Sequence, residues 1–269
     1  MDLSKLSELK RLLQQHGLWA RHSLGQNFLV DRQSLQKIVA AAELTAADQV
    51  LEIGPGPGVL SRELVKQASK VLALELDRAF EPVLRQIQKE FPNFQYELGN
   101  ALQYEPKMTD YKLVANIPYY LTAKLIRHFL EEVKYKPKTI VLLVQKEVAE
   151  KILEEKSNLL ALSVRVYAEA EQIGIVPAES FYPAPKVDSA ILRLKLYSEP
   201  HLKSDPKQFF KIVRAAFLGK RKQLKNTVSN LGFPTEKIQQ ILVELGYTEK
   251  ARPEELNLAD WDTLVGKLG

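Results

Sequence analysis

The residues with the clearest chemical potential form a tetrapeptide, Asn116-Ile-Pro-Tyr119, which follows an apolar strand predicted at residues 112–115. Pro118 forces the residue before it into an extended conformation, so the backbone carbonyl of Ile117 is free to face a ligand, as is the amide oxygen of Asn116. Two hydrogen-bond acceptors beside the ring of Tyr119 suit one task well: they hold an exocyclic amine, aim its lone pair and stack its base. A capped strand end with a buried tyrosine is the alternative interpretation.

A second chemical feature is the glycine-rich turn Gly54-Pro-Gly-Pro-Gly58, which joins the strand predicted at residues 49–53 to a helix. Glycines let a ligand approach the backbone, and a helix N-terminus favours negative charge. Glu75 ends the next predicted strand, where a carboxylate can accept bonds from both hydroxyls of a ribose. The spacing is GxGxG, not GxGxxG, and two prolines remove N–H donors, which disfavours a nicotinamide dinucleotide. The pattern therefore indicates a different nucleoside-containing cofactor, unless the turn merely reverses the chain.

These residues lie within an alternation of short apolar strands and helices. Strands are predicted at residues 49–53, 70–74, 94–98, 112–115, 139–144, 161–168 and 189–196. Helices are predicted at residues 3–16, 31–42, 59–68, 78–89, 123–133 and 146–155. Strands separated by helices of this length indicate an α/β fold with a mostly parallel sheet covered on both faces. Because ligands bind such sheets at the carboxyl ends of the strands, Asn116 and Tyr119 are on the expected edge.

After about residue 197 the predicted strands stop. Helices are predicted at residues 206–218, 220–231, 235–245 and 257–267. We therefore predict an N-terminal arm and α/β domain over residues 1–196 and a small all-α domain over residues 197–269.

Residues 211–225 of the helical domain carry six basic and no acidic side chains. Phe209, Val213 and Phe217 recur at helical spacing, so one face is expected to pack inward while the charges point outward. Such charges suit the phosphates of RNA, which supply affinity and register but not sequence choice. A solvated basic helix face is the alternative. The candidate RNA-binding residues are Lys211, Arg214, Lys220, Arg221, Lys222 and Lys225.

Composition excludes several other classes of protein. The 269 residues are 45% hydrophobic and 26% charged, as in an ordinary globular protein, with a formal net charge of +5. The chain has no cysteine, and its four histidines are scattered, so neither a disulfide nor a metal site is expected. No apolar run approaches the roughly 20 residues that span a bilayer, and the N-terminus lacks the apolar core of a secretory signal. We expect a cytoplasmic protein without a membrane partner.

Taken together, the motifs resemble those of the ribosomal RNA adenine dimethyltransferase family. The segments that carry this resemblance are Leu24-Gly-Gln-Asn-Phe-Leu29, Glu52-Ile-Gly-Pro-Gly-Pro-Gly58, Glu75-Leu-Asp77, Asn116-Ile-Pro-Tyr-Tyr120 and Phe181-Tyr-Pro-Ala-Pro-Lys-Val-Asp-Ser189. They occur in order and cover the whole chain. Residues 216–226 and Arg252-Pro-Glu-Glu-Leu-Asn257 also look like the C-terminal domain of the small-subunit branch.

The resemblance implies a Rossmann-like methyltransferase fold that uses S-adenosyl-L-methionine. It implies dimethylation of N6 of two adjacent adenosines in a loop near the 3′ end of 16S rRNA, within an immature small ribosomal subunit. Asn116, Ile117, Pro118 and Tyr119 would form the catalytic motif. Phe181 would cover the other face of the target base. The protein is expected to be a monomer with a role in subunit biogenesis.

The resemblance also assigns cofactor-binding residues. By similarity, Asn27 and Leu29 contact the methionine end of the cofactor, Gly54 passes beneath it, and Glu75 holds the ribose. Asn116 contributes to this site as well. The family usually has Gly-Asp-Ala after the third strand, whereas this chain has Asn100, which keeps an acceptor oxygen but loses charge assistance.

Three other functions share some of these features. Large-subunit methyltransferases of the same superfamily, which confer macrolide resistance, have the catalytic motifs, but the C-terminal segments argue against them. A nicotinamide dehydrogenase is disfavoured by the glycine spacing. A ribosome-assembly factor that binds pre-rRNA without catalysis stays compatible, since one protein could do both.

Overall fold

A computed structural model describes residues 1–21, 24–219 and 222–269. The chain forms two compact units. The first unit comprises Met1–Ala149 and Ala170–Leu196, and the second comprises Glu150–Glu169 and Tyr197–Gly269. No helix among the described residues is long and apolar enough to cross a membrane.

The first unit carries most of the strands. The strands of the chain are β1 (Phe28–Leu29), β2 (Gln49–Ile53), β3 (Lys70–Glu75), β4 (Phe94–Leu98), β5 (Tyr111–Ala115), β6 (Thr139–Gln145), β7 (Ala168–Val176), β8 (Phe181–Tyr182) and β9 (Ser189–Leu196). The helices up to Leu153 are α1 (Leu6–Gln15), α2 (Arg32–Ala41), α3 (Ser61–Leu64), α4 (Glu81–Glu90), α5 (Thr122–Arg127) and α6 (Lys146–Leu153). The last four residues of α6 belong to the second unit.

The main sheet has the strand order β4-β3-β2-β5-β6-β9-β7. The five neighbouring strands β4, β3, β2, β5 and β6 are parallel to one another, and β9 runs antiparallel to β6. Residues such as Val50, Val71 and Leu113 are fully buried, as expected for parallel strands covered on both faces. The predicted α/β fold with a mostly parallel sheet is confirmed. Each predicted strand is present with its ends within one residue, except that predicted at residues 161–168, where the structure has a helix.

The register of the central strands brings the predicted site residues to one edge. Ile53 at the end of β2 pairs with Leu74 of β3 and with Ala115 at the end of β5. The residues that follow these three positions are Gly54, Glu75 and Asn116. They therefore lie side by side at the carboxyl edge of the sheet.

The second unit is helical. Its helices are α7 (Leu159–Tyr167), α8 (Pro206–Phe217), α9 (Leu224–Val228), α10 (Thr235–Glu244) and α11 (Leu258–Leu268). Helix α8 begins as predicted, since the Asp205 side chain accepts a bond from Gln208 N at 2.8 Å and Pro206 occupies the first turn. Trp261 is fully buried, and its indole N–H donates to the carbonyl of Pro253.

The observed division differs from the predicted boundary at residue 197, because Glu150–Glu169 belongs to the second unit. The strand predicted at residues 161–168 is wrong, because these residues form α7, which the Asn158 side chain caps by accepting a bond from Ala161 N. This helix packs against α8 and α11, and the ring of Tyr167 stacks on that of Phe210 with 5.9 Å between centroids. Burial of its apolar residues against the helical unit explains the assignment. Strand β7 and the short strands β1 and β8 were also not predicted.

Candidate active site

One cavity lies at the carboxyl edge of the sheet in the first unit. Most of its lining comes from five segments of the chain: residues 24–29, 52–57, 74–77, 99–102 and 116–121. Residues 24–29 are called the arm below. The sequence motifs predicted to bind cofactor and base therefore come together around a single space.

The glycine turn forms one wall of this cavity. Gly54 has a φ of +70° and donates its N–H to the carbonyl of Leu74 at 2.9 Å. At Gly58, with φ of +81°, an added Cβ would lie 2.2 Å from the Cδ1 atom of Ile87. Gly54 is required because its backbone is left-handed. Gly58 is required for the same reason, and also because a side chain there would clash with Ile87. The turn thus presents backbone, with no side chain at Gly54, to a ligand.

Two buried carboxyl groups lie behind the turn. Glu75 is 6% exposed, and its oxygens accept bonds from the N–H groups of Gly56 at 2.9 Å and Asp77 at 2.8 Å. Each oxygen keeps a second lone pair for a hydroxyl group. Burial raises the pKa of Glu75. Glu52 is 1% exposed, and burial together with the nearby Glu75 raises its pKa to about 8.

Asn116 is the residue that directly follows β5, and it lines the cavity. Its Nδ2 atom donates to the backbone carbonyl of Asn27 in the arm, at 3.3 Å. This contact commits the NH₂ end of the amide and leaves Oδ1 as an acceptor. No described residue donates a hydrogen bond to this Oδ1 atom or to the carbonyl of Ile117. Both predicted acceptors are therefore available to a ligand.

The ring of Tyr119 lines the same cavity and is partly buried. Its hydroxyl group forms a hydrogen bond of 2.7 Å with the Oγ atom of Ser189, the first residue of β9. Burial raises the pKa of Tyr119, so the phenol stays neutral. The bond fixes the hydroxyl end of the ring on which a base would stack.

The remaining predicted cofactor residues also line the cavity. Asn27 donates from Nδ2 to the carbonyl of Gly25 at 3.1 Å, which folds the arm on itself. Leu29 is 3% exposed and supplies an apolar wall. The Oδ1 atom of Asn100 accepts a bond from Leu102 N at 3.0 Å, so one of its two lone pairs is already used.

Phe181 is placed differently from the sequence prediction. It is 4% exposed and pairs with Leu29 between β8 and β1, within the apolar cluster that includes Phe28. The described residues that line the cavity do not include it. The antiparallel pairing of β1 with β8 explains this position, since it packs the ring into the core. A role against the target base stays a prediction and would require the ring to move.

The candidate RNA-binding residues lie in the second unit. Lys211, Arg214 and Lys222 are exposed, and Lys225 is partly buried. The guanidinium group of Arg214 lies 5.6 Å from the ring centre of Phe210. Phe209 and Val213 are fully buried, which confirms that one face of α8 packs inward. Lys220 and Arg221 lie outside the described residues.

Three residues at the cavity or beside it were missed by sequence reasoning as functional candidates. Glu52 and Asp77 line the cavity, and Ser189 holds Tyr119. Each stood in a quoted motif, but only the folded contacts show what the side chain touches. Among the described residues, no group of three or more histidine, aspartate or glutamate side chains could hold a metal ion.

The cavity fits S-adenosylmethionine. Glu75 places a buried carboxyl group at the end of β3, and Asn100 places a carboxamide after β4. The backbone at Gly54, which carries no side chain, lies between these two groups and the acceptors that follow β5. These groups match a ribose, an adenine amino group and a methionine end in turn. Fold and site together define the class: a Rossmann-like methyltransferase whose acceptor site is built for an amine on a base.

Comparison with known proteins agrees with this class. The sequence matches the family described as ribosomal RNA adenine dimethylase over residues 17–268. The ribosomal RNA small subunit methyltransferase A of Dehalococcoides mccartyi (strain BAV1) is 38% identical over 97% of this chain and 92% of its own length. Its namesake in Clostridium perfringens (strain SM101) is 37% identical over 98% and 96%.

Two solved structures are similar as well. The 23S rRNA methyltransferase ErmE gives a TM-score of 0.71 at 29% identity, covering 90% of this chain and 99% of that one. A dimethyladenosine transferase from Plasmodium falciparum gives 0.74 at 28% identity, covering 88% and 95%. The chain belongs to the ribosomal RNA adenine dimethylase family. Membership confirms the predicted activity class and the predicted methyl donor, S-adenosylmethionine.

Proposed function

We propose that this enzyme dimethylates N6 of two adjacent adenosines in a loop near the 3′ end of 16S rRNA. The observation that carries the proposal is the pair of free acceptors, Asn116 Oδ1 and the carbonyl of Ile117, beside the ring of Tyr119 in the cofactor cavity. The choice of the small-subunit RNA is supported by full-length relatives named as small subunit methyltransferases.

The residues at the site act by positioning. Bound S-adenosylmethionine supplies an electrophilic methyl group. Asn116 Oδ1 and the carbonyl of Ile117 accept hydrogen bonds from the N–H groups of the adenine amine and draw its lone pair out of conjugation with the ring. Pro118 holds the motif extended and Tyr119 stacks on the base. Asn27, Leu29, Gly54, Glu75 and Asn100 bind the cofactor. Alignment of two reactants in this way supplies much of the rate enhancement.

We propose that the second unit binds RNA through the exposed basic residues of α8 and through the candidate basic residues that follow this helix in the sequence. A base enters such a site only after it leaves its stack, which costs least for an unpaired loop base. We propose a monomer that acts in the cytoplasm on an immature small subunit, and so takes part in ribosome biogenesis.

Transfer of tritium from labelled S-adenosylmethionine tests the proposal. Immature 30S particles, 50S particles and naked 16S rRNA would be compared, with Asn116→Ala as the inactive control. We expect incorporation into 30S particles at two adjacent adenosines, located by digestion and mass spectrometry. Incorporation into 50S particles alone would favour a large-subunit enzyme. Binding of 16S rRNA by the wild-type protein without incorporation would indicate an assembly factor.

A further inference from the structure

We propose that Asp77 is a positioning residue that clamps the arm over the cavity and thereby aligns the amide of Asn116. The inference rests on the proposed function, because it explains how one part of that site is held in place. Its basis is a series of hydrogen bonds from the end of β3 to the arm and from the arm to the end of β5, joined by the peptide link between Gln26 and Asn27.

Asp77 is buried and fully engaged. Its side chain is 5% exposed and forms an ion pair of 3.0 Å between Oδ1 and the Nη1 atom of Arg21. The other oxygen, Oδ2, accepts a bond of 3.1 Å from Nε2 of Gln26. Oδ1 also accepts from the N–H of Ala79 at 3.1 Å. Two of these three donors belong to residues more than 50 positions away in the chain, at and just before the arm.

Gln26 connects the two ends of this part of the chain. While Nε2 donates to Asp77, its Oε1 atom accepts a bond of 2.9 Å from the backbone N–H of Arg21. The backbone N–H of Leu24 also donates to the carbonyl of Arg21 at 3.0 Å. Gln26 therefore uses both ends of its amide, which leaves it one orientation. Its position fixes that of the next residue, Asn27.

Asn27 carries the arrangement to the catalytic motif, since its carbonyl oxygen accepts the Nδ2 bond of Asn116. At the other end, the backbone N–H of Asp77 donates to Glu75, the proposed ribose ligand. The path from ribose site to catalytic amide therefore passes through Asp77 and Gln26. Because such coupling is reciprocal, an arm that is held closed favours both cofactor retention and correct orientation of the amide.

A purely local role for Asp77 is the competing explanation. Its bond to Ala79 caps the 3-10 turn Arg78–Phe80, and loss of a cap destabilises a protein without touching the arm. Gln26 separates the two explanations, since it contacts Asp77 but takes no part in the cap. Substitutions at Gln26 remove its bonds to Asp77 and to the backbone of Arg21 and leave the cap intact.

The experiment compares Asp77→Asn, Gln26→Ala and the wild type by three measurements. These are the dissociation rate of S-adenosylhomocysteine without RNA, kcat and KM for methyl transfer, and the melting temperature without ligand. A hydrogen bond to a charged group corresponds to about a tenfold effect, so we expect S-adenosylhomocysteine to leave about tenfold faster from either variant. We expect kcat to fall to a similar extent, and the melting temperature of Gln26→Ala to stay near the wild-type value.

Two further variants complete the design. Asp48→Asn is the matched control, because Asp48 likewise pairs with a cation, Lys112 at 3.1 Å, and accepts a backbone bond, from Thr45, but does not line the cavity. It should lower the melting temperature and leave dissociation unchanged. The double substitution Asp77→Asn with Gln26→Glu exchanges donor and acceptor, and should restore slow dissociation.

The proposal is overturned if Gln26→Ala releases S-adenosylhomocysteine at the wild-type rate, or if only the Asp77→Asn variant releases it faster. An exchange variant that stays as impaired as Asp77→Asn would also count against it. Dissociation is measured without RNA, so these outcomes do not depend on the identity of the RNA substrate. Failure of the proposed function would instead appear as absent incorporation with the wild-type enzyme.

Discussion

The substitution Glu52→Gln should remove the pH dependence of stability that this buried carboxyl group imposes. Glu52 lies two residues before Gly54, the first residue of the glycine turn, and is 1% exposed. Its Oε2 atom has no hydrogen-bond partner among the described residues. Burial first, and the neighbouring Glu75 as well, raise its pKa from 4.5 to about 8. The folded protein therefore holds this group protonated at neutral pH, while the unfolded chain does not.

The sign and size follow from this difference. Below pH 4.5 both states are protonated, and the full stability of the fold is present. As the pH rises from 4.5 to about 8, the unfolded chain releases a proton that the folded protein retains, so the free energy of unfolding falls. Each unit of pKa difference between the folded and unfolded states corresponds to about 1.4 kcal/mol. Between about pH 5 and about pH 9 the free energy of unfolding therefore falls by about 4 kcal/mol. A glutamine does not titrate and avoids this loss.

Urea unfolding followed by circular dichroism at a series of pH values measures the effect. The stability of Glu52→Gln minus that of the wild type should rise by about 4 kcal/mol from about pH 5 to about pH 9. Glu63→Gln, on the adjacent helix α3 and partly exposed, serves as the control and should show no such rise. Parallel pH profiles for Glu52→Gln and the wild type would refute the assignment of a neutral, buried Glu52.

Other predictions address the site and the RNA. Asn116→Ala should abolish methyl transfer while calorimetric S-adenosylhomocysteine binding stays nearly intact; near-normal turnover would refute its role. Ser189→Ala frees the Tyr119 hydroxyl and should lower kcat by about threefold to tenfold, with an unchanged KM for the cofactor, in steady-state assays. The double substitution of Lys211 and Lys222 by alanine should weaken RNA binding and reduce the salt slope by about two, whereas Lys250→Ala at another exposed site should not.

The sequence was sufficient to predict the strands and the edge at which the site lies. Strand positions follow from runs such as residues 139–144, because a strand buried on both faces must be apolar throughout. The meeting of Gly54, Glu75 and Asn116 then follows from parallel pairing, which places the ends of successive strands together. These predictions depend on local pattern and on one topological rule.

Contacts between distant segments could not be predicted in the same way. Phe181 was expected to face the base, but its burial depends on a two-residue pairing with β1 that has no periodic signal. The helix α7 joins the second unit because of its packing against α8 and α11, which composition does not encode. Asp77 received no role from the sequence, because its partners Arg21 and Gln26 lie more than 50 positions away and only the fold brings them together.

The reversal of one strand explains how a late segment of the chain reaches the site. In a fully parallel sheet, the first residue of a strand lies at the edge opposite the ligands. Strand β9 is antiparallel to β6, so its first residue, Ser189, pairs with Gln145 at the end of β6. That places the Ser189 hydroxyl at the carboxyl edge, within 2.7 Å of the Tyr119 hydroxyl. The direction of β9 is therefore what lets the motif that ends at Ser189 fix the stacking ring of a motif some 70 residues earlier.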